Sequence, residues 1–211
     1  MVDFVKLYLV RIERSVVFVL RSLLLCSTID SSTANLANNR GQVSYRNKTY
    51  VIFDGDNDMW AYAFMKGWKS NENMDFNFYD AHDIRPLTDR ASEDTVKRAL
   101  RERFSNAKQV VVLVGENTRN LYRFVRWEIE IAEQLNLPII VVNLNDKREM
   151  DSARCPPILR QWTAVHVAFK AKIIQLALDR YPEEYSSINA SEQGQPRCYS
   201  DSVYTQLGLT K

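Results

Sequence analysis

Residues 109–142 read QVVVLVGENTRNLYRFVRWEIEIAEQLNLPIIVV, and this stretch decides the fold. Gln109 to Val114 is an unbroken apolar run of strand length, the pattern of a strand covered on both faces. The loop Gly115-Glu116-Asn117-Thr118 ends it. Residues 121–135 then carry apolar side chains at helical spacing, and Leu137 to Val142 forms another buried strand. A strand, a helix and a strand with short joints make a parallel pair with the helix packed across it.

The same alternation extends in both directions. Upstream, Tyr50-Val51-Ile52-Phe53 reads as a buried strand that exits through Asp54-Gly55-Asp56-Asn57. A helix with Trp60, Ala61, Phe64, Met65 and Trp68 at 3/4 spacing follows. Asp75 to Tyr79 is expected as a second, alternating strand that enters the polar loop beginning at Asp80. Ser92, with Glu93 and Thr95, opens a helix whose apolar positions are Val96, Ala99, Leu100 and Phe104. Downstream, Ala164 to Ala168 fits a short fifth strand and Lys170 to Asp179 a last helix. The expected fold class is α/β, a five-stranded parallel sheet with helices on both faces. Its boundaries are 48–182, with a loosely packed, weakly periodic tail at 183–211. Residues 30–47 are rich in Ser, Asn and Gly and read as a linker.

Residues 1–29 form a hydrophobic N-terminal extension read as a helix. Ser15 to Cys26 is strongly apolar, but Arg21 interrupts it and it is short for a bilayer span. A helix packing on the domain or on a partner is the preferred reading over membrane contact. The formal charge of +2 is spread along the chain, and the basic runs fall on helix surfaces. No basic stripe with interleaved aromatics suggests nucleic acid. The cysteines, Cys26, Cys155 and Cys198, are odd in number and widely separated, which argues against a disulfide framework. With two histidines, His82 and His166, a multi-His metal site or a His-based triad is not expected. The expected compartment is the cytoplasm.

Glu128 stands out within the helix at 121–135. At ~100° per residue its wheel neighbours are Leu121, Leu135, Phe124, Ala132, Val125 and Ile131, all apolar. Arg123, Arg126, Glu130, Glu133 and Gln134 occupy the other half. A carboxylate on the midline of a buried stripe must be neutralised, paired, or facing a cavity. The structural reading is a salt bridge to a buried Arg or a wet end of the stripe. The functional reading is an acid at the wall of a pocket. In sheets of this kind ligands bind beyond the carboxyl ends of the strands. The loops at 54–57, 80–90 and 115–118 converge on that rim.

The acids at Asp54, Asp56 and Asp58 invite other chemistries. As a calcium loop they fail, because Met59 stands at the sixth position and Met65 at the twelfth. A phosphatase with Asp54 as nucleophile and Asp56 as acid/base would need a later acidic pair, and Asn145-Asp146 does not supply one. The structural reading is helix capping by Asp56 or Asn57.

Four segments together resemble a bacterial TIR-like domain of the kind found in signalling and Thoeris-type anti-phage defence proteins. They are Lys48 to Asp54, Phe76-Asn77-Phe78-Tyr79-Asp80, Val110 to Thr118 and Phe124 to Ala132. The resemblance covers about residues 48–145 and continues more weakly to 180. It implies a flavodoxin-like sheet in the order 2-1-3-4-5. For enzymatic members it implies cleavage of the nicotinamide–ribose bond of NAD, with NAD as substrate, no cofactor and no metal. The family's catalytic glutamate maps onto Glu128. Its first-strand exit maps onto Phe53, Asp54 and Gly55, and its loop after the second strand onto Asp80 through Arg90, including His82 and Arg85. Gly115 and Phe124 complete the implied substrate-binding set. They stand where many animal and plant members carry Ser and Trp.

The resemblance further implies an ADP-ribose-derived signal, cyclic or conjugated, that reaches a separate effector, and a homo-oligomer built through TIR–TIR contacts. Two other functions fit the same residues. One is a non-catalytic TIR-like interaction module. The other is a nucleoside deoxyribosyltransferase-like enzyme, which also uses a carboxylate on this kind of fold.

Overall fold

The structure is a computed structural model that describes residues 26–29, 47–80, 92–120 and 123–209. Its centre is a seven-stranded sheet in which every pairing is parallel. The strands are β1 (Ser27–Ile29), β2 (Lys48–Ile52), β3 (Tyr79–Asp80), β4 (Gln109–Val114), β5 (Ile139–Asn143), β6 (Ala164–Ala168) and β7 (Arg197–Tyr199). They lie in the order β1-β7-β6-β5-β4-β2-β3. The five strands expected from the sequence are β2 to β6, and their order β3-β2-β4-β5-β6 is the 2-1-3-4-5 arrangement of a flavodoxin-like sheet.

Period-two alternation sorts the central strands between two cores. Val51, Val111, Leu113, Ile140, Val142, Val165 and Val167 face one side. They pack there against α1 (Met59–Ser70), α4 (Ala171–Ser186) and α5 (Asp201–Gln206). Tyr50, Ile52, Val110, Val112, Val114, Ile139, Val141 and Ala164 face the other. They meet α2 (Glu93–Phe104) and α3 (Phe124–Gln134). With both faces covered, all six residues of β4 are buried, which is why 109–114 carries no polar alternation. The α2 terminus forms as its sequence predicts, with the Thr95 amide donating to Ser92 Oγ at 3.4 Å.

Three expectations change. The second strand is Tyr79–Asp80 rather than 75–79; Lys48 pairs with Tyr79 and Thr49 with Asp80. Phe76 and Phe78 are buried as the alternation requires, but the Asn77 amide donates to Gln175 Oε1 of α4 at 2.6 Å. That backbone is therefore held by a helix side chain and not by a sheet ladder.

The segment 183–211 is not a loose tail across its described part. α4 runs to Ser186, β7 adds a strand beside β6, and α5 returns to the core. Tyr199, Val203 and Tyr204 are buried. The Ala168 amide donates to Tyr204 Oη at 3.1 Å, and the Arg148 guanidinium lies 4.2 Å from the Tyr204 ring centroid. A three-residue strand and a six-residue helix are too short to leave a readable period.

The third change is at the N-terminus. Ser27–Ile29, placed by sequence at the end of a helical extension, is an edge strand beside β7. The rest of that extension, residues 1–25, and the linker from 30 to 46 lie outside the described residues. Among the described residues no helix is long and apolar enough to cross a membrane.

Candidate active site

The site is built where α3 crosses the β2 side of the sheet. The buried residues of α3 are Val125, Trp127, Ile129, Ile131 and Ala132. On a ~100° wheel these spread to either side of Glu128, which therefore occupies the middle of the buried arc. Phe124 and Glu128 are half-buried. Leu135, expected on the same stripe, follows the helix end and is exposed.

Beneath Glu128 lies Tyr50, the middle residue of β2, with no exposed surface. Its ring packs on Phe104 at 4.1 Å between centroids. Its hydroxyl donates to Glu128 Oε1 at 2.9 Å. Burial is the largest influence on the Glu128 carboxyl and pushes it up to about 7. The Tyr50 hydrogen bond and the positive charge of Arg103 on α2 both pull it down. Arg103 also interacts with the Tyr50 hydroxyl, whose own ionisation is pushed far up by burial and by the neighbouring Glu128. Glu128 therefore changes charge near neutrality, in a setting of one hydroxyl donor and one guanidinium.

The rim itself is organised by carboxylates. Asp54, just past β2, is buried and accepts hydrogen bonds from the Asp56 amide at 3.0 Å, the Asn57 amide at 3.3 Å and Asn57 Nδ2 at 2.7 Å. Neither Asp56 nor Asn57 caps α1, contrary to the sequence expectation; both are donors to Asp54. The residue preceding α1 is Asp58, and its side chain makes no cap hydrogen bond. It turns towards the β4–α3 loop. Thr118 Oγ1 donates to Asp58 Oδ2 at 3.3 Å and accepts from the Gly115 amide at 2.8 Å. Asp58 and Thr118 are both buried. Burial is the largest influence on the Asp58 carboxyl and raises it; the Asp54 charge raises it further, while Thr118, the Gly115 amide and Arg154 oppose the rise.

This contact leaves no room for a side chain at Gly115 unless Asp58 moves. A Cβ there would sit 2.2 Å from Asp58 Oδ1, far inside van der Waals distance.

The remaining expected residues fall on the same rim or outside the described set. Phe53 is buried and stacks on Tyr62 at 4.9 Å, so its ring serves the core on the α1 side. Gly55 is exposed, and a Cβ there would meet nothing within 4 Å. Asp80 accepts from the Tyr62 hydroxyl at 2.5 Å. Phe124 meets Trp127 edge-on at 5.7 Å, and the Arg123 guanidinium lies over both rings. His82 and Arg85 lie outside the described residues. Among the described residues no group of three His, Cys, Asp or Glu side chains is arranged to hold a metal ion. A shallow cleft lined by Ile29, Glu184, Ser187, Ile188, Glu192 and Arg197 lies at the β1 edge, remote from Glu128.

Four participants were not singled out from sequence: Tyr50, Arg103, Asp58 and Thr118. Tyr50 read as one more apolar strand residue, and its hydroxyl was the missed signal. Asp58 reads from the sequence only as part of a calcium loop that fails at Met59 and Met65. Arg103 and Thr118 gain their roles from contacts that no local pattern announces.

A model of the family described as "Thoeris protein ThsB, TIR-like domain" matches residues 44–149, about half of the chain. The matched span runs from just before β2 to the loop after β5. It includes Asp58, Gly115 and Glu128.

Proposed function

The chain belongs to the Thoeris ThsB TIR-like domain family, and from that membership we propose that it cleaves the nicotinamide–ribose bond of NAD, with Glu128 as the catalytic residue. The observation that carries this reading is the half-buried carboxyl of Glu128 on α3, held by the Tyr50 hydroxyl. Departure of nicotinamide leaves an oxocarbenium-like ribose. A carboxylate poised against it stabilises the developing positive charge, and does so more strongly where water is excluded. Glu128 also accepts hydrogen bonds from the ribose hydroxyls and fixes the sugar's orientation. The donor from Tyr50 keeps the carboxyl aimed and favours its ionised form, as does the charge of Arg103.

Asp54 holds the β2–α1 loop by accepting the Asp56 and Asn57 amides, and Asp58 ties the start of α1 to Thr118 in the β4–α3 loop that precedes α3. His82 and Arg85 meet the dinucleotide phosphates. The nucleophile that captures the ribose cation decides the product. Water yields ADP-ribose, an atom of the same dinucleotide yields a cyclic product, and an external acceptor yields a conjugate. In Thoeris-type anti-phage defence the product is the signal to a separate effector, and a homo-oligomer built through TIR–TIR contacts completes the site.

The test is to incubate the purified chain with NAD, with and without crowding agent, and to follow nicotinamide by chromatography and the product by mass spectrometry. Wild type is expected to release nicotinamide and Glu128→Gln is not. A second reading, a non-catalytic interaction module, is favoured by one observation. Met59, Trp60 and Phe64 are exposed on one helix, α1, with 41%, 46% and 56% of their surface open to solvent, an apolar ridge suited to a partner. Equal release by wild type and Glu128→Gln under assembling conditions would leave that reading in place of the first.

A further inference from the structure

The cysteines are far apart in sequence, yet the sheet brings two of them together. β1 pairs in parallel with β7 so that Thr28 lies opposite Cys198. The pairing continues one residue earlier, where the Ser27 amide donates to the Pro196 carbonyl at 2.9 Å. Side chains two residues apart share a face, so Cys26 emerges on the same side as Thr28 and Cys198. The two thiol groups influence each other's ionisation, as neighbouring groups do. Cys26 is half-buried and Cys198 is 7% exposed. Cys155 is fully buried in the α2/α3 core, and burial pushes its thiol up to about 12.

We propose that Cys26 and Cys198 form a reversible oxidation site that takes a hydroperoxide as its substrate and closes an intramolecular disulfide across β1 and β7. The neighbouring Cys26 thiol lowers the ionisation of Cys198 against the opposing effects of burial, Glu149 and Asp201, which favours the thiolate, the form that reacts with peroxide. The Cys198 thiolate attacks one peroxide oxygen, forming an S–O bond and breaking the O–O bond. The sulfur is oxidised to a sulfenic acid, and hydroxide leaves from hydrogen peroxide or an alkoxide from an organic hydroperoxide. Cys26 then attacks that sulfur; the S–S bond forms, the S–O bond breaks, and the hydroxyl departs as water with the proton from Cys26. A disulfide needs its Cα atoms at roughly 4.4–6.8 Å. The register sets Cys26 two positions before Thr28, the residue opposite Cys198, so closing the bond draws the start of the three-residue edge strand β1 towards β7.

The bond would fasten the edge strand to the sheet and join two ends of the described domain covalently. It limits the unfolded chain and so raises thermal stability. This inference is independent of the NAD reading.

The experiment treats the full chain with hydrogen peroxide, blocks free thiols with N-ethylmaleimide under denaturing conditions, and maps the peptides by mass spectrometry. Labelled thiols should fall from three to one, the remaining label residing on Cys155. A Cys26–Cys198 linked peptide should appear, the chain should stay monomeric on a non-reducing gel, and dithiothreitol should restore all labelling. The melting temperature should rise on oxidation in wild type and in Cys155→Ser, and not in Cys26→Ser. In Cys26→Ser the sulfenic acid on Cys198 should be trapped by dimedone. Linkage through Cys155, disulfide dimers between chains, or separate over-oxidation of Cys26 and Cys198 without a linked peptide would overturn the proposal.

Discussion

Tyr50 and Glu128 are 78 positions apart in the chain, and the Tyr50 hydroxyl donates to Glu128 Oε1 at 2.9 Å. One residue is the midpoint of a buried strand and the other faces it from a helix packed across the sheet. Burial raises the ionisation of the acid on which the proposed chemistry depends, and this contact opposes that rise.

Glu128→Gln removes a carboxyl that burial raises to about 7 from its ordinary value of 4.5. An acid whose folded value is raised holds its proton more tightly in the folded state, so the native carboxylate costs stability increasingly as pH rises through that interval. The substitution should leave stability unchanged near about pH 4 and add about 2 kcal/mol above roughly pH 8. Urea unfolding at the two pH values measures this. An equal effect at both would mean the carboxyl is not desolvated.

Tyr50→Phe keeps the ring against Phe104 and deletes the donor to Glu128. Since that hydrogen bond favours the carboxylate, its loss should raise the Glu128 value further. Nicotinamide release by wild type should fall as pH drops through about 7, because the charge-stabilising form is the carboxylate. In Tyr50→Phe the same limb should move to higher pH, with a stability loss of about 1 kcal/mol. A pH–rate profile with the limb unmoved would separate Tyr50 from Glu128 functionally.

Gly115→Ala places a methyl 2.2 Å from Asp58 Oδ1. Overpacking of this kind costs about 1–3 kcal/mol, and displacement of the loop before α3 should also lower nicotinamide release. Because one contact carries the cost, Gly115→Ala combined with Asp58→Ala should be less destabilised than the sum of the single changes, with a coupling of about 1 kcal/mol. Strict additivity in a thermal-unfolding cycle would refute the contact.

His166 is fully buried in β6; neither ring nitrogen has a hydrogen-bond partner among the described residues, and burial lowers its value to about 3. A base whose folded value is depressed supports the fold above its unfolded value of about 6.5, and that support is lost as pH falls below it. His166→Leu should therefore behave like wild type near about pH 7 and be more stable by about 2 kcal/mol near pH 5. Parallel acid limbs for the two proteins would show that the imidazole is not held neutral.

The alternation of strands and helices, the two-faced core and the place of Glu128 within the α3 stripe were legible because each rests on local periodicity; the strand order followed only from the family resemblance. Val110 to Val114 announces a covered strand, and Val125, Ile131 and Ala132 announce the face on which an acid is out of place. The β3 bounds and the β7–α5 return were not legible. Asn77 takes its partner from Gln175 on α4, and β7 and α5 are too short to carry a period.

The sequence by itself determined the parallel α/β fold and an acid on the core side of one helix, since burial imposes periods that neighbouring residues must obey. Only the tertiary structure decided that Glu128 meets Tyr50 beside Arg103, that Asp58 bonds Thr118 of the β4–α3 loop, and that β1 brings Cys26 beside the strand of Cys198. Those relations join residues on different strands and helices, and a hydrogen bond between distant segments leaves no periodic trace in either.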